Sequence, residues 1–236
     1  MRPYRLAPRV YVCVAEEGAV ILNLQNDAYT GLEGIQARAL SLVVEDWPSH
    51  PDERDISFDD ARALAEVLVE QGLLADSNSP AETREPLVLA TVESELIPWD
   101  EMDARHAGVL TVLQFVISLL TVLFLLRFRP FPEVVERLHA RKESSTTQAR
   151  PFDVSTARSL VGAYYHIRAF FYGQKGRCLL DSLTLMEFLA RHGSYPTWVI
   201  GVQINPFGSH SWVQYGSYVL NGTPAYVRSY RPILTV

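Results

Sequence analysis

The sequence predicts an α+β chain in two parts, and three observations predict it. Three short β-branched runs followed by two apolar-periodic helices fill the first 75 or so residues; a small polar stretch without periodicity follows; and the rest is helical as far as Gly193 and strand-rich after it. The polar stretch, Asp76 to Glu85, is the expected linker, which sets domains at 1–78 and 87–236 with 79–86 between them. At 236 residues with 48% hydrophobic and 20% charged side chains, the chain can bury a core in each part.

In the first part, Val10 to Ala15 and Ala19 to Leu24 flank Glu16-Glu17-Gly18 as a hairpin, and Ala28 to Gly31 follows the Asn26-Asp27 turn as a third strand. A helix runs from about Gly34 to Glu45, ended by Trp47-Pro48. Ser57 or Asp59 caps a second helix that reaches about Gln71, where Gly72 stops it. Three strands and helices in this order form a winged-helix-like pattern. Charge excludes nucleic acid as its partner: residues 1 to 80 hold 14 acids against 6 Lys and Arg, and Glu45 to Asp76 alone hold ten acids and two arginines. A sheet with an open edge can instead accept an extended peptide as a further strand.

Ala107 to Leu126 is 20 residues without a charge, long enough to span a bilayer. Arginines flank it on both sides, giving no inside-outside asymmetry. Thr111, Gln114, Ser118 and Thr121 recur at helical spacing and would supply a less apolar stripe, so the expectation is a central buried helix of the second domain, with a membrane anchor as the alternative. Helices are expected from Glu133 to Arg141 and from Ala157 to Phe171, the latter capped by Ser155.

From Cys178, Leu179, Leu183, Met186 and Ala190 mark one face of a helix that Gly193 terminates. Cys178 therefore lies in a first helical turn, where free N–H groups and the positive end of the macrodipole favour a thiolate. Thr197 to Ile204 and His210 to Tyr215 read as a hairpin about Asn205-Pro206-Phe207-Gly208, with a short third strand, Ser217 to Leu220, ending at Asn221-Gly222. His210 and Asn221 fall at the same end of that sheet. If the helix packs across it, Cys178, His210 and Asn221 form a nucleophile, a base and a group orienting the base. Asn221 is favoured by elimination, because beyond Pro151 the only acids are Asp153, Asp181 and Glu187, two of them on the cysteine's own helix. Gln174, shortly before Cys178, is the candidate for a second oxyanion donor. Two cysteines 165 positions apart form neither a disulfide framework nor a zinc site, so no metal or other cofactor is expected. A free thiol and the lack of a secretory apolar run after Met1 suit a reducing cytoplasm.

Cys178-Leu-Leu-Asp-Ser-Leu, Gly201-Val202, His210-Ser-Trp-Val213 and Val219-Leu-Asn221-Gly resemble the papain/transglutaminase-like cysteine protease domain of lasso-peptide biosynthesis B proteins. That family commonly has aspartate where this chain offers Asn221. The first part resembles the precursor-peptide recognition element of ribosomal-peptide modification systems, on its strand pattern, Tyr29-Thr-Gly-Leu32 and Gln71-Gly-Leu-Leu-Ala75. The resemblance implies a leader-binding groove between the third strand and the last helix, for which Tyr29, Leu32, Leu64 and Val67 are candidates, each equally suited to the core. It further implies a cytoplasmic cysteine endopeptidase that removes the leader of a lasso precursor and works beside an ATP-dependent lasso cyclase. The rival readings are a peptide-binding adaptor without catalysis and an acyltransferase using the same Cys-His pair.

Overall fold

A computed structural model describes residues 3–48, 57–79, 89–97, 108–145, 153–173 and 176–236. The linker expected at 79–86 lies outside them except for Ser79, and so does Gln174. The fold is mixed α+β, and the chain divides into two compact units: residues 1–87 with 202–208 and 231–233, and residues 88–201, 209–230 and 234–236.

In the first unit, β2 (Val10–Ala15), β3 (Gly18–Asn23) and β4 (Ala28–Glu33) form an antiparallel sheet in that order, so β4 is an edge. Pairing runs Val10 opposite Asn23 and Gly18 opposite Glu33. Alternation along the strands puts Ala19, Ile21 and Leu32 in one apolar core with Ala37, Leu40, Ala61, Ala65 and Leu68 of α1 (Gly34–Val43) and α2 (Phe58–Glu70). Gln36 accepts from the Glu33 N–H at 2.9 Å and ties down the start of α1. Ser57 occupies the N-cap position of α2 without a side-chain bond there. A second, two-stranded sheet of β1 (Tyr4–Leu6) and β5 (Leu74–Asp76) joins the two ends of this segment. Neither strand is announced locally, because each needs the other, some 70 residues away, as its partner.

The third sheet has five strands in the order β10-β7-β8-β9-β6: β6 (Ser94–Glu95), β7 (Thr197–Gln203), β8 (Gly208–Tyr215), β9 (Tyr218–Val219) and β10 (Arg231–Thr235). The expected hairpin is its centre. It gains an edge on each side, β6 pairing parallel with β9 and the chain after α7 (Pro224–Val227) returning as β10. Because β8 begins at Gly208, His210 is its third residue rather than its first.

The central helix of the second unit is α6 (Cys178–Arg191), buried from Asp181 to Leu189 without interruption. Packed on it are α3 (Val109–Phe128) and α5 (Val154–Arg168), with α4 (Phe131–Ser145) alongside α3. This corrects the expectation that Ala107 to Leu126 is the buried centre. Helix α3 buries only Phe115, Ser118, Leu119 and Val122, and of its polar stripe Ser118 alone is fully buried, its Oγ accepting from Arg191 Nε at 3.1 Å. By length and composition α3 is apolar enough to cross a membrane. The cap of α5 is Asp153, whose carboxylate accepts from the Ser155 and Thr156 backbone N–H groups, so Ser155 stands inside the first turn.

Candidate active site

Cys178 is the first residue of α6, half-buried, with Arg177 at the N-cap. One turn on, Ser182 Oγ donates to Ser211 Oγ at 3.0 Å and accepts from Trp198 Nε1 at 2.9 Å. That pair fastens the start of α6 to β8 beside His210, for Ser211 is its neighbour in sequence.

His210 is walled by aromatic rings. Trp212 stacks on it at 6.1 Å with planes 15° apart, Tyr226 meets it edge-on at 4.9 Å, and Tyr230 lies 5.3 Å away. Tyr226 and Tyr230 are joined through their hydroxyls at 3.0 Å. That bond, partial burial and the charges of Tyr226 and of Cys178 push the Tyr230 phenol up to about 12. Tyr230 therefore lies against the imidazole and within electrostatic reach of the Cys178 sulfur.

Burial among these rings pushes the His210 pKa down to about 4, opposed in part by the negative charge of Asp181. Its Nε2 is buried without a hydrogen-bond partner among the described residues. The imidazole is thus neutral at pH 7 and able to accept a proton from a thiol. For a histidine held below its ordinary 6.5, folding gains nothing from the group above that value, and stability falls as pH drops from 6.5 toward 4, where the unfolded chain takes up the proton first. The acid limb of the pH–rate profile is accordingly expected near 4 to 5 instead of near 6.5, as steady-state rates between pH 4 and 8 will show.

Asn221 does not hold His210. Its Oδ1 accepts from the Val213 N–H at 2.7 Å, and its Nδ2 donates to Asp181 Oδ2 at 3.2 Å. The carboxylate set aside for lying on the cysteine's own helix is the one at the centre. Asp181 is fully buried, paired with Arg168 at 3.2 Å, and accepts from the Tyr164 and Tyr172 hydroxyls at 3.0 and 3.2 Å. Its spacing from Cys178 puts both on one side of α6. That i, i+3 relation was the available signal for it, and the tyrosines around it, Tyr164 in α5 and Tyr172 after it, carried none.

Gly201 on β7 is required by close approach. A Cβ there would stand 2.6 Å from Trp212 Cζ3 and 3.0 Å from Tyr230 Cβ, two of the rings that wall His210. Gly201→Ala is expected to lower stability by about 1 to 3 kcal/mol, as overpacking does. It should also reduce turnover by displacing those rings, which urea melts and initial rates would register together.

The sequence matches the Transglutaminase-like superfamily over residues 118–235, half of the chain. The chain belongs to that superfamily. Transglutaminase-like domains are typically cysteine-dependent enzymes, in keeping with cysteine protease or acyltransferase chemistry. The matched span takes in all of Cys178, Asp181, His210, Asn221 and Tyr230. No curated protein and no solved structure gives a significant match.

The four residues expected to line a leader groove do not share one surface. Tyr29 and Leu32 point to opposite faces of β4, because side chains three apart on a strand alternate. Leu32 lies in the core of the first unit with Leu64 packed against that core, Val67 is exposed on α2, and Tyr29 rests on Phe207 at 5.6 Å.

Proposed function

We propose that this protein is the leader peptidase of a lasso-peptide system, a cysteine endopeptidase that removes the leader from a ribosomally made precursor. The observation that carries the reading is a helix opened by Cys178 and tied through Ser182 to the strand bearing His210, in a transglutaminase-like domain. The Cys178 sulfur attacks the scissile carbonyl as His210 takes its proton. The tetrahedral intermediate collapses as the imidazolium returns that proton to the departing amine, leaving a thioester. Water, deprotonated by His210, then releases the acid and the free thiol. Asn221 and Asp181 serve as positioning residues, fixing β8 to α6 through the Val213 N–H.

The first unit, read as a winged-helix-like recognition element, captures the leader as a strand on the open edge of β4. Thr30 faces the same side of that strand as Leu32. Binding there raises the concentration of the scissile bond at the thiol. The product then passes to an ATP-dependent cyclase in the cytoplasm.

Superfamily membership equally suits an amine in place of water, which makes acyltransfer the second reading. Mass spectrometry of a precursor peptide incubated with the protein separates them. Hydrolysis yields two fragments whose masses sum to precursor plus water, and aminolysis yields an adduct with the added amine. An unchanged precursor would remove both.

A further inference from the structure

Helix α3 is apolar on its outer side as well as on its inner one. Its buried side carries Phe115, Ser118, Leu119 and Val122, with Gln114, Thr111 and Thr121 half-buried, whereas Leu110, Leu113, Ile117, Leu120 and Phe124 are exposed, Leu110 by 67% and Leu120 by 60%. Val109, Leu123 and Phe128 widen this bare face, and Phe171, whose ring lies 5.2 Å from that of Phe115, and its neighbour Phe170 extend it. Together they expose on the order of 1,000 Å² of apolar surface, beyond the roughly 300 to 600 Å² of the largest patch on an ordinary monomer. A face of that size needs a cover.

The spacing of the face says what kind. Positions 110, 113, 117, 120 and 124 alternate by three and four, a 3.5-residue repeat that fits the seam of a second helix. A helix lying on lipid needs no such register, but it does need a strongly polar opposite face, and α3 has only scattered hydroxyls and one amide there. The area matches the roughly 800 Å² per partner of a stable complex.

We propose that α3 pairs with α3 of a second copy of this chain, antiparallel about a two-fold axis near its midpoint. Ile117 of each copy then packs on Leu120 of the other, and Leu113 on Phe124. A parallel pair would set Arg127 beside Arg127 and Arg129 beside Arg129. The antiparallel one separates them by about 30 Å, the length of a 20-residue helix, and opposes the two macrodipoles. An interface that maps onto itself closes at two subunits.

Sedimentation equilibrium of the full chain without detergent, at micromolar concentration, tests this. The expected mass is twice the chain's 26.6 kDa. Ile117→Glu should weaken association at least tenfold, and Phe124→Ser at the far end of the seam should do the same, both with unchanged far-ultraviolet circular dichroism. If one variant fails to fold, the other decides. A monomeric wild type, or a dimer that survives a folded variant, overturns the proposal. So does a monomer that cosediments with phosphatidylcholine–phosphatidylglycerol vesicles, which would assign the face to lipid.

Discussion

Cys178→Ala is expected to lower precursor cleavage by at least about three orders of magnitude while leaving the protein folded and leader binding by the first unit unchanged. The magnitude follows from how nucleophile and base act as a unit, so that losing either forfeits nearly all that both provide. His210→Ala should therefore match Cys178→Ala, and the double variant should be little worse than either. Removing a half-buried thiol at a helix start leaves a small gap, so circular dichroism and the melting midpoint should barely move. Cleavage timed by mass spectrometry and leader affinity by calorimetry are the measurements. Undiminished cleavage in Cys178→Ala would rule out the thioester route, and lost leader binding would contradict the division of labour between the units.

Asp181→Ala should have the largest effect on stability. The Asp181 side chain is 1% exposed and that of its partner Arg168 is 10% exposed. Alanine would leave the guanidinium buried without a counter-charge and the Asn221 amide without that acceptor, while Tyr164 and Tyr172 would keep only each other and the residue 181 carbonyl. Breaking a buried pair in this one-sided way costs about 3 to 5 kcal/mol, a large share of the roughly 5 to 15 that hold a domain together. Asp181→Asn keeps an acceptor and a similar volume, and should be milder. Since the Asp181 charge raises the His210 pKa, neutralising it should move the acid limb of the rate profile further down. A residue that only filled space would leave that limb where it was. Urea unfolding and the pH–rate profile of the two variants read these effects separately.

The elements were legible wherever a local pattern determines them. The helix from Cys178 and the hairpin bearing His210 follow from three-and-four spacing and from turn residues, and both stand close to where those signals put them. Strands β1, β5, β6 and β10 were missed because each exists only through a partner distant in the chain, such as Ser94–Glu95 beside Tyr218–Val219. Helix α3 was visible, but its orientation was not: a helix so apolar all round has only a faint sequence-encoded inner face, and Ser118 of its less apolar stripe lies inward, bonded to Arg191. At the site, elimination pointed to Asn221 as the partner of His210. The buried charge of Asp181 holds Asn221 instead, which a search confined to residues off the nucleophile's helix could not find.

The close fit of Gly201 under Trp212 reaches beyond the present chain to its descent. Neither residue can be exchanged by itself, since a side chain on β7 collides with the indole and a smaller ring on β8 opens a void beside the imidazole. Lineages of this protein should have kept the two together or replaced them in tandem, so the genomes of its relatives hold a record of how strictly that wall must be maintained.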